Sequence, residues 1–506
     1  MAVFCAIVAL ELLVFCLPPG WWLAAGLCLL VLVAFFGLLA GVLQGRGEIL
    51  VLVWILTFPL GYYFLSFPTE HPLLTLDRLF IGTLLVTVCF AARRDIVRIP
   101  QVLRKSGTYW AVFLFFAGLG IPRVMTPLFS ARLWLEAFLL PALLAWYVIL
   151  YLDVRRCLFA LHAVTCLMTA YVAAIGLMEI FLQRDLLPLL GGGIIVAGDS
   201  SDLTADFLVR PNGPFGSSNS FAMVGIVSLL FLLFLRSTLG SQMPAWQRML
   251  HYLGVSAALL EALLPLFRSV LISLVILLVI DIFYQSGWRR TLRLAAVGIT
   301  CTLFLLVRVM FPSVFEERTS SANLQARIAQ QKQTVALFLD NPINGVGLCN
   351  VNAVINNDKY ITFYDDTESL GSAHNNLGAI LSETGLTGFL PFVASQVLIA
   401  KAFWKLRRTN SKESRSVVKT FLFLFVCYWI NGLSLTTAYF ADLNLWYMFV
   451  LAVLYKVAIT SPEVAVASDF GSAVSSPSST HRLARAYLPS ELPIPAKQGR
   501  SRHGTE

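Results

Sequence analysis

The polar residues that could do chemistry in this chain stand where polarity is expensive. Arg268 lies in Leu264-Pro265-Leu266-Phe267-Arg268-Ser269, between two apolar runs. A lone arginine beside the bilayer costs some kcal/mol unless it reaches the interface or meets an anion, and both readings stay open at this point. Arg327 lies in a polar, helix-like stretch upstream of Asp340-Asn341-Pro342-Ile343-Asn344-Gly345-Val346-Gly347. Alone it reads equally as a solvated loop arginine. His374 and Asn375 fall in Ser372-Ala373-His374-Asn375-Asn376-Leu377, which runs on through Glu383-Thr384-Gly385-Leu386-Thr387-Gly388. A neutral imidazole accepts a proton and a charged one binds phosphate, while a structural histidine is the plain alternative. A helix starting here would add free N–H donors suited to an anion. Gly385 and Gly388 are expected to allow close helix packing. Arg210-Pro211-Asn212-Gly213-Pro214-Phe215-Gly216-Ser217-Ser218-Asn219 offers Arg210 and Asn219 to a polar ligand, or is a plain connector.

Two or three arginines with a histidine suggest a diphosphate, because the planar guanidinium matches phosphate oxygens in pairs and keeps its charge. No Walker loop, no GxGxxG opening a helix and no HExxH is present, so cytosolic nucleotide use and metalloprotease chemistry find no support. No Asp-x-Asp or His-rich cluster offers metal ligands, which favours arginines over Mg²⁺ as the phosphate clamp. No metal and no cofactor is expected.

These residues must be held by membrane helices. The 506 residues are 58% hydrophobic and only 13% charged, with mean hydropathy +0.77. That is about half the charge of a soluble chain. Crossing a ~30 Å hydrocarbon core takes about 20 apolar residues as a helix, the form that satisfies its own backbone. The apolar runs are 2–18, 21–43, 49–68, 79–92, 109–122, 135–152, 157–182, 219–236, 251–267, 269–286, 294–312, 374–403, 417–433 and 436–458. They predict an all-α, polytopic bundle of about 12–14 transmembrane helices, the lower figure if the break at Arg268 makes a re-entrant pair. The first run lacks a charged n-region and a small-residue cleavage site, so it reads as a retained helix. The nine cysteines are scattered, mostly in apolar runs and without a CxxC, which suggests neither a disulfide framework nor zinc.

The net charge of +9 does not point to nucleic acid, because its placement follows topology. Basic residues concentrate in alternate loops: Arg93, Arg94, Arg98, Arg104 and Lys105; Arg155 and Arg156; Arg289, Arg290 and Arg293; Lys405, Arg407, Arg408, Lys412 and Arg415. The positive-inside rule then places these loops and both termini in the cytoplasm. Arg268 falls on the outer side, against that bias. Two long loops, roughly 183–218 and 313–373, also fall outside, and long loops in a compact fold are usually functional or disordered. The stretch from Asn323 to Leu339, stopped by Asp340-Asn341-Pro342, marks the second as an ordered cap. Three regions are expected: N-terminal helices over 1–182, a catalytic membrane region over 183–460 with its outer loop 313–373, and a Ser/Pro-rich disordered cytoplasmic tail over 461–506.

The sequence resembles the O-antigen ligase and Wzy-type polymerase family of bacterial envelope glycosyltransferases. His374-Asn375, nine intervening residues and Gly385-Leu386-Thr387-Gly388 reproduce the family's His-Asn-x9-Gly-x-x-Gly pattern, at the end of the large outer loop as in the family. Arg327 with Asn341-Pro342-Ile343-Asn344-Gly345-Val346-Gly347 is similar to the family's arginine and "HPxxGxG" stretch, with Asn341 where histidine is common. Arg268-Ser269 resembles its helix-opening arginine, with Phe267 replacing the usual small residue. The likeness covers roughly residues 200–440.

The resemblance implies a GT-C type membrane fold in the bacterial inner membrane. It also implies an undecaprenyl-diphosphate-linked glycan donor used at the periplasmic face, and inversion without a metal. Arg268 and Arg327 would hold the diphosphate, and His374 would activate the acceptor hydroxyl or bind phosphate. Arg210, Asn219 and Asn375 are the candidate substrate contacts. The partners implied are the lipid-linked donor, a glycan or lipid-linked acceptor and membrane lipid, with polysaccharide assembly and export proteins as further candidates; no nucleic acid is expected. A polymerase of O-antigen or exopolysaccharide repeats is favoured slightly over a ligase, since nothing marks a lipid A–core acceptor. A transporter or flippase would place ionisable groups along a path through its helices. Here the acidic residues within the runs are Glu11, Glu136, Glu179, Glu261 and Asp281, mostly toward run ends.

Overall fold

The computed structural model describes residues 47–61, 66–67, 74–90, 99–182, 211–265, 267–283, 298, 302, 321–355, 362–364, 367–369, 374–409 and 411–460. The expected runs 2–18 and 21–43, nearly all of 294–312, Arg210 and the tail from 461 lie outside them. The other apolar runs fall on helices. In chain order these are α1 (Gly47–Thr57), α2 (Leu76–Phe90), α3 (Gln101–Gly120), α4 (Pro127–Tyr151, with a π-helical turn at Trp134–Leu139), α5 (Val154–Leu182), α6 (Ser218–Leu239) and α7 (Ala245–Leu263). They continue as α8 (Arg268–Phe283), α9 (Ser321–Asp340), α10 (Val351–Ile355), α11 (Asn376–Leu406), α12 (Lys412–Gly432) and α13 (Ala441–Ile459).

This is an all-α polytopic membrane protein. Among the described residues, Pro127–Tyr151, Val154–Leu182, Ser218–Leu239, Asn376–Thr409 and Ala441–Ile459 are long and apolar enough to cross a bilayer. Two short antiparallel hairpins interrupt the helices, β1 (Ser66–Phe67) with β2 (Leu74–Thr75) and β3 (Thr362–Tyr364) with β4 (Thr367–Ser369). The periodicity of the chain did not signal either one, because each strand is only two or three residues long.

Helix α13 is central, with 83% of its apolar window buried by protein. Trp446 donates from Nε1 to Ser228 Oγ on α6 at 2.9 Å and stacks on Phe58, 5.7 Å away, beside α1. A second aromatic layer joins α3, α4 and α11: Phe113 lies 5.3 Å from Phe138 and 5.2 Å from Phe392. That layer ends at Tyr439, set edge-on to Phe138 at 5.8 Å.

Ionisable groups inside the bundle are largely tied to partners. Glu136, in the π turn, is clamped by Arg78 at 2.8 Å and Arg132 at 3.1 Å. Glu179 accepts from the Gly213 amide at 2.7 Å, and Asp281 pairs with Lys419. Glu261 differs: it is buried on α7, where Gly225 of α6 allows close approach, and neither carboxylate oxygen has a hydrogen-bond partner.

Candidate active site

The site is organised by a break in α11. Gly385 takes φ +59° and ψ −166° inside the helix, which frees backbone groups on both sides. Residues 341–347 satisfy them. Val346 and Gly347 donate to the Ser382 and Glu383 carbonyls, each at 2.9 Å. Leu386 and Thr387 donate to the Pro342 and Ile343 carbonyls at 2.9 and 3.1 Å. The Thr387 hydroxyl also reaches the Ile343 carbonyl at 2.9 Å. The Asn341–Gly347 stretch and the glycines of the histidine motif are therefore hydrogen-bond partners of one another. The expectation that Gly385 serves helix–helix packing is corrected: its positive φ breaks the helix so that a loop can insert.

Glu383 locks this junction from within. It is buried and accepts from the Cys349 amide at 2.8 Å and the Tyr439 hydroxyl at 2.5 Å. Burial, then the Glu383 charge, raises both the Cys349 thiol and the Tyr439 phenol well above their ordinary values. Cys349 is therefore no nucleophile, and Tyr439 is a neutral donor. Neither Glu383 nor Tyr439 stood out in the sequence. They lie 56 residues apart, and only the fold joins them.

Asn375 is the N-cap of α11, its side-chain oxygen accepting from Leu377 N at 2.9 Å and Gly378 N at 3.4 Å. Two of the helix N-terminal amides expected to face an anion are thus already occupied, and Asn375 serves the helix itself. Asn376, fully buried, accepts from Ala438 N and donates to Thr437 Oγ1, both at 2.8 Å. It ties the first turn of α11 to the turn between α12 and α13. His374, half-buried just before the cap, holds φ +42°. A left-handed backbone at a non-glycine residue is uncommon and concentrates at functional sites.

Register places the two arginines at the same end. On α8, Ser273 accepts from Asn431 at 3.1 Å and Asp281 pairs with Lys419, so α8 and α12 run antiparallel. Arg268, exposed and opening α8, stands five residues before Ser273, about 7.5 Å along the axis. That level is the turn that holds Asn376. On α9, Thr334 packs against Gly378, while the end of α9 leads into the loop seated at Gly385. Helices α9 and α11 therefore run parallel. Arg327, exposed and seven residues before Thr334, shares its helix face on the His374 side.

Asn219 lies in the first turn of α6, its side-chain oxygen buried without a hydrogen-bond partner. A Ser237–Ser416 contact at 2.7 Å, four residues into α12, sets the far end of α6 beside the start of α12. Asn219 is thus at the Arg268 end too. Arg210 lies outside the described residues. Among those described, no group of three or more His, Cys, Asp or Glu side chains could hold a metal ion.

A family model described as O-antigen ligase (Wzy_C) matches residues 253–393. The matched segment holds Arg268, Arg327, His374 and the Gly385 junction, and is narrower than the 200–440 of the sequence likeness. The chain is thus a membrane protein carrying an O-antigen ligase/Wzy-type domain. The match supports a function of the O-antigen ligase and polymerase type in general. No curated protein matches the chain.

Proposed function

We propose that the protein is an inner-membrane glycosyltransferase that polymerises surface polysaccharide repeats at the periplasmic face. The donor is a glycan on undecaprenyl diphosphate. Arg268 and Arg327 hold the diphosphate and stabilise the charge that develops as it leaves. The acceptor hydroxyl attacks the anomeric carbon from the opposite side, so the configuration inverts, and the bond to the diphosphate oxygen breaks without a metal. His374 takes the hydroxyl proton as general base, or binds phosphate in its charged form. Asn219, and Arg210 outside the described residues, are the remaining candidate substrate contacts. The catalytic region is 183–460, preceded by N-terminal helices over 1–182 and followed by a cytoplasmic tail over 461–506, with both termini cytoplasmic.

The observation that carries this reading is the junction at Gly385. It seats the Asn341–Gly347 loop on α11 and so sets the Arg327 helix beside the His374 end. The test is complementation of a deletion strain with wild type and with His374→Ala, Arg268→Ala and Arg327→Ala, profiling polysaccharide and lipid-linked intermediates. Deletion should leave single lipid-linked repeats, and the three variants should reach the membrane yet fail to restore polymer. Long polymer stranded on its carrier would make the enzyme a ligase to lipid A–core or another acceptor. Normal polysaccharide from all three variants would reject the site and reopen a transporter reading.

A further inference from the structure

At the end of the bundle opposite His374, helices α3, α4, α11 and α13 leave a narrow groove with a cavity volume of about 60 Å³. Leu103, Trp146, Ile399, Phe403 and Leu451 line it. Its two serines, Ser106 and Ser395, are spent on each other. Their hydroxyls lie 3.0 Å apart, and each also donates to the other residue's carbonyl, at 3.1 and 3.2 Å. With the serines satisfied, the lining is mostly apolar, its remaining polar atoms on Trp146, Tyr455 and Trp110, and hydrocarbon is what it accepts. The groove follows α3 from Leu103 to Trp110, about 10 Å along the helix axis, the direction in which an acyl chain lies in a leaflet.

The charge at its end chooses among hydrocarbons. Ile399 and Phe403 continue at the same helical spacing to Arg407, which is exposed and lies 5.2 Å over the Trp404 ring. Arg104 and Lys105, both exposed, sit in the opening turns of α3 at the same end. An apolar slot beneath exposed cations fits a phospholipid with an anionic headgroup. We infer that this groove binds one acyl chain of an anionic phospholipid of the leaflet opposite the active site, with the phosphate held by Arg104, Lys105 and Arg407. The lipid pins α3 to α11 beside the aromatic layer, where Trp110 lies 5.8 Å from Phe392, and at the end of α11 away from His374. The site is separate from the glycan donor's, so its failure would leave the proposed reaction untouched.

The test uses the full chain purified in detergent and native mass spectrometry with phosphatidylglycerol against phosphatidylcholine. Wild type should retain one phosphatidylglycerol in about thirtyfold preference or more, as two or three interfacial cations at about 1 kcal/mol each imply. Arg104→Gln with Lys105→Gln and Arg407→Gln changes exposed side chains only and should abolish the preference while leaving the fold intact. Ala452→Phe, which fills the groove, should lose the bound lipid itself. Equal retention of the two lipids by wild type would overturn the assignment. So would undiminished phosphatidylglycerol in the charge variant, or its displacement by an equimolar polyprenyl phosphate.

Discussion

Gly345 and Gly385 meet backbone to backbone. A Cβ on Gly345 would lie 2.3 Å from the Glu383 carbonyl carbon, and one on Gly385 would lie 2.2 Å from the Ile343 oxygen. Both glycines hold positive φ, +66° and +59°. Two sequence motifs some 40 residues apart are thus the two halves of one joint, and the joint positions the site.

Gly385→Ala should therefore cost about 2–3 kcal/mol or more, from backbone strain and collision with a backbone that cannot move aside. Gly345→Ala should cost a similar amount. The double variant should be clearly less destabilised than the sum, since either substitution alone opens the joint. Thermal unfolding in detergent with a double-mutant cycle checks this, and strict additivity would contradict it.

His374 carries strain that a glycine would relieve. His374→Gly should be as stable as wild type, or up to about 1 kcal/mol more stable, while losing polysaccharide synthesis. A large fall in melting temperature would mean the imidazole is there for structure. The pH profile of wild type separates the two chemical roles. A general base loses activity toward acid, as the ring gains its proton; a phosphate-binding cation loses it toward alkali.

Asn375 should behave as a cap. Asn375→Asp retains the acceptor and should stay within a few tenths of a kcal/mol, while Asn375→Ala should cost about 1 kcal/mol. Equal activity losses in both variants at unchanged stability would instead restore Asn375 as a substrate contact.

Much of this was legible in the sequence. Run length and low charge fixed the membrane helices, because lipid imposes one rule on every backbone group. The spacing from His374 to Gly385 drew attention to the candidate site, and Asp340-Asn341-Pro342 marked the end of α9. What the sequence hid were the long-range pairings. Nothing local to Glu383 announces Tyr439, and nothing in Ser273 announces Asn431, yet these contacts set where His374 and Arg268 stand. The role of Gly385 was hidden for the same reason, since its φ answers to a loop 40 residues away.

Glu261 separates an enzyme from a transporter. A coupled transporter would use this buried carboxylate, and Glu261→Gln would stop it. In a glycosyltransferase that works through Arg268, Arg327 and His374 the carboxylate takes no part. Glu261→Gln should then support normal polysaccharide and leave stability unchanged or slightly raised. Complementation decides it.

The central claim is that Arg268, Arg327 and His374 act on one lipid-linked diphosphate. Release of polyprenyl diphosphate from a lipid-linked repeat by the purified protein tests it most directly. Each alanine variant should lose about 100-fold or more of the turnover while keeping the wild-type melting temperature, and Arg268→Lys should recover only part, for want of the guanidinium fork. Turnover within a few-fold of wild type in any of the three alanine variants would contradict the account.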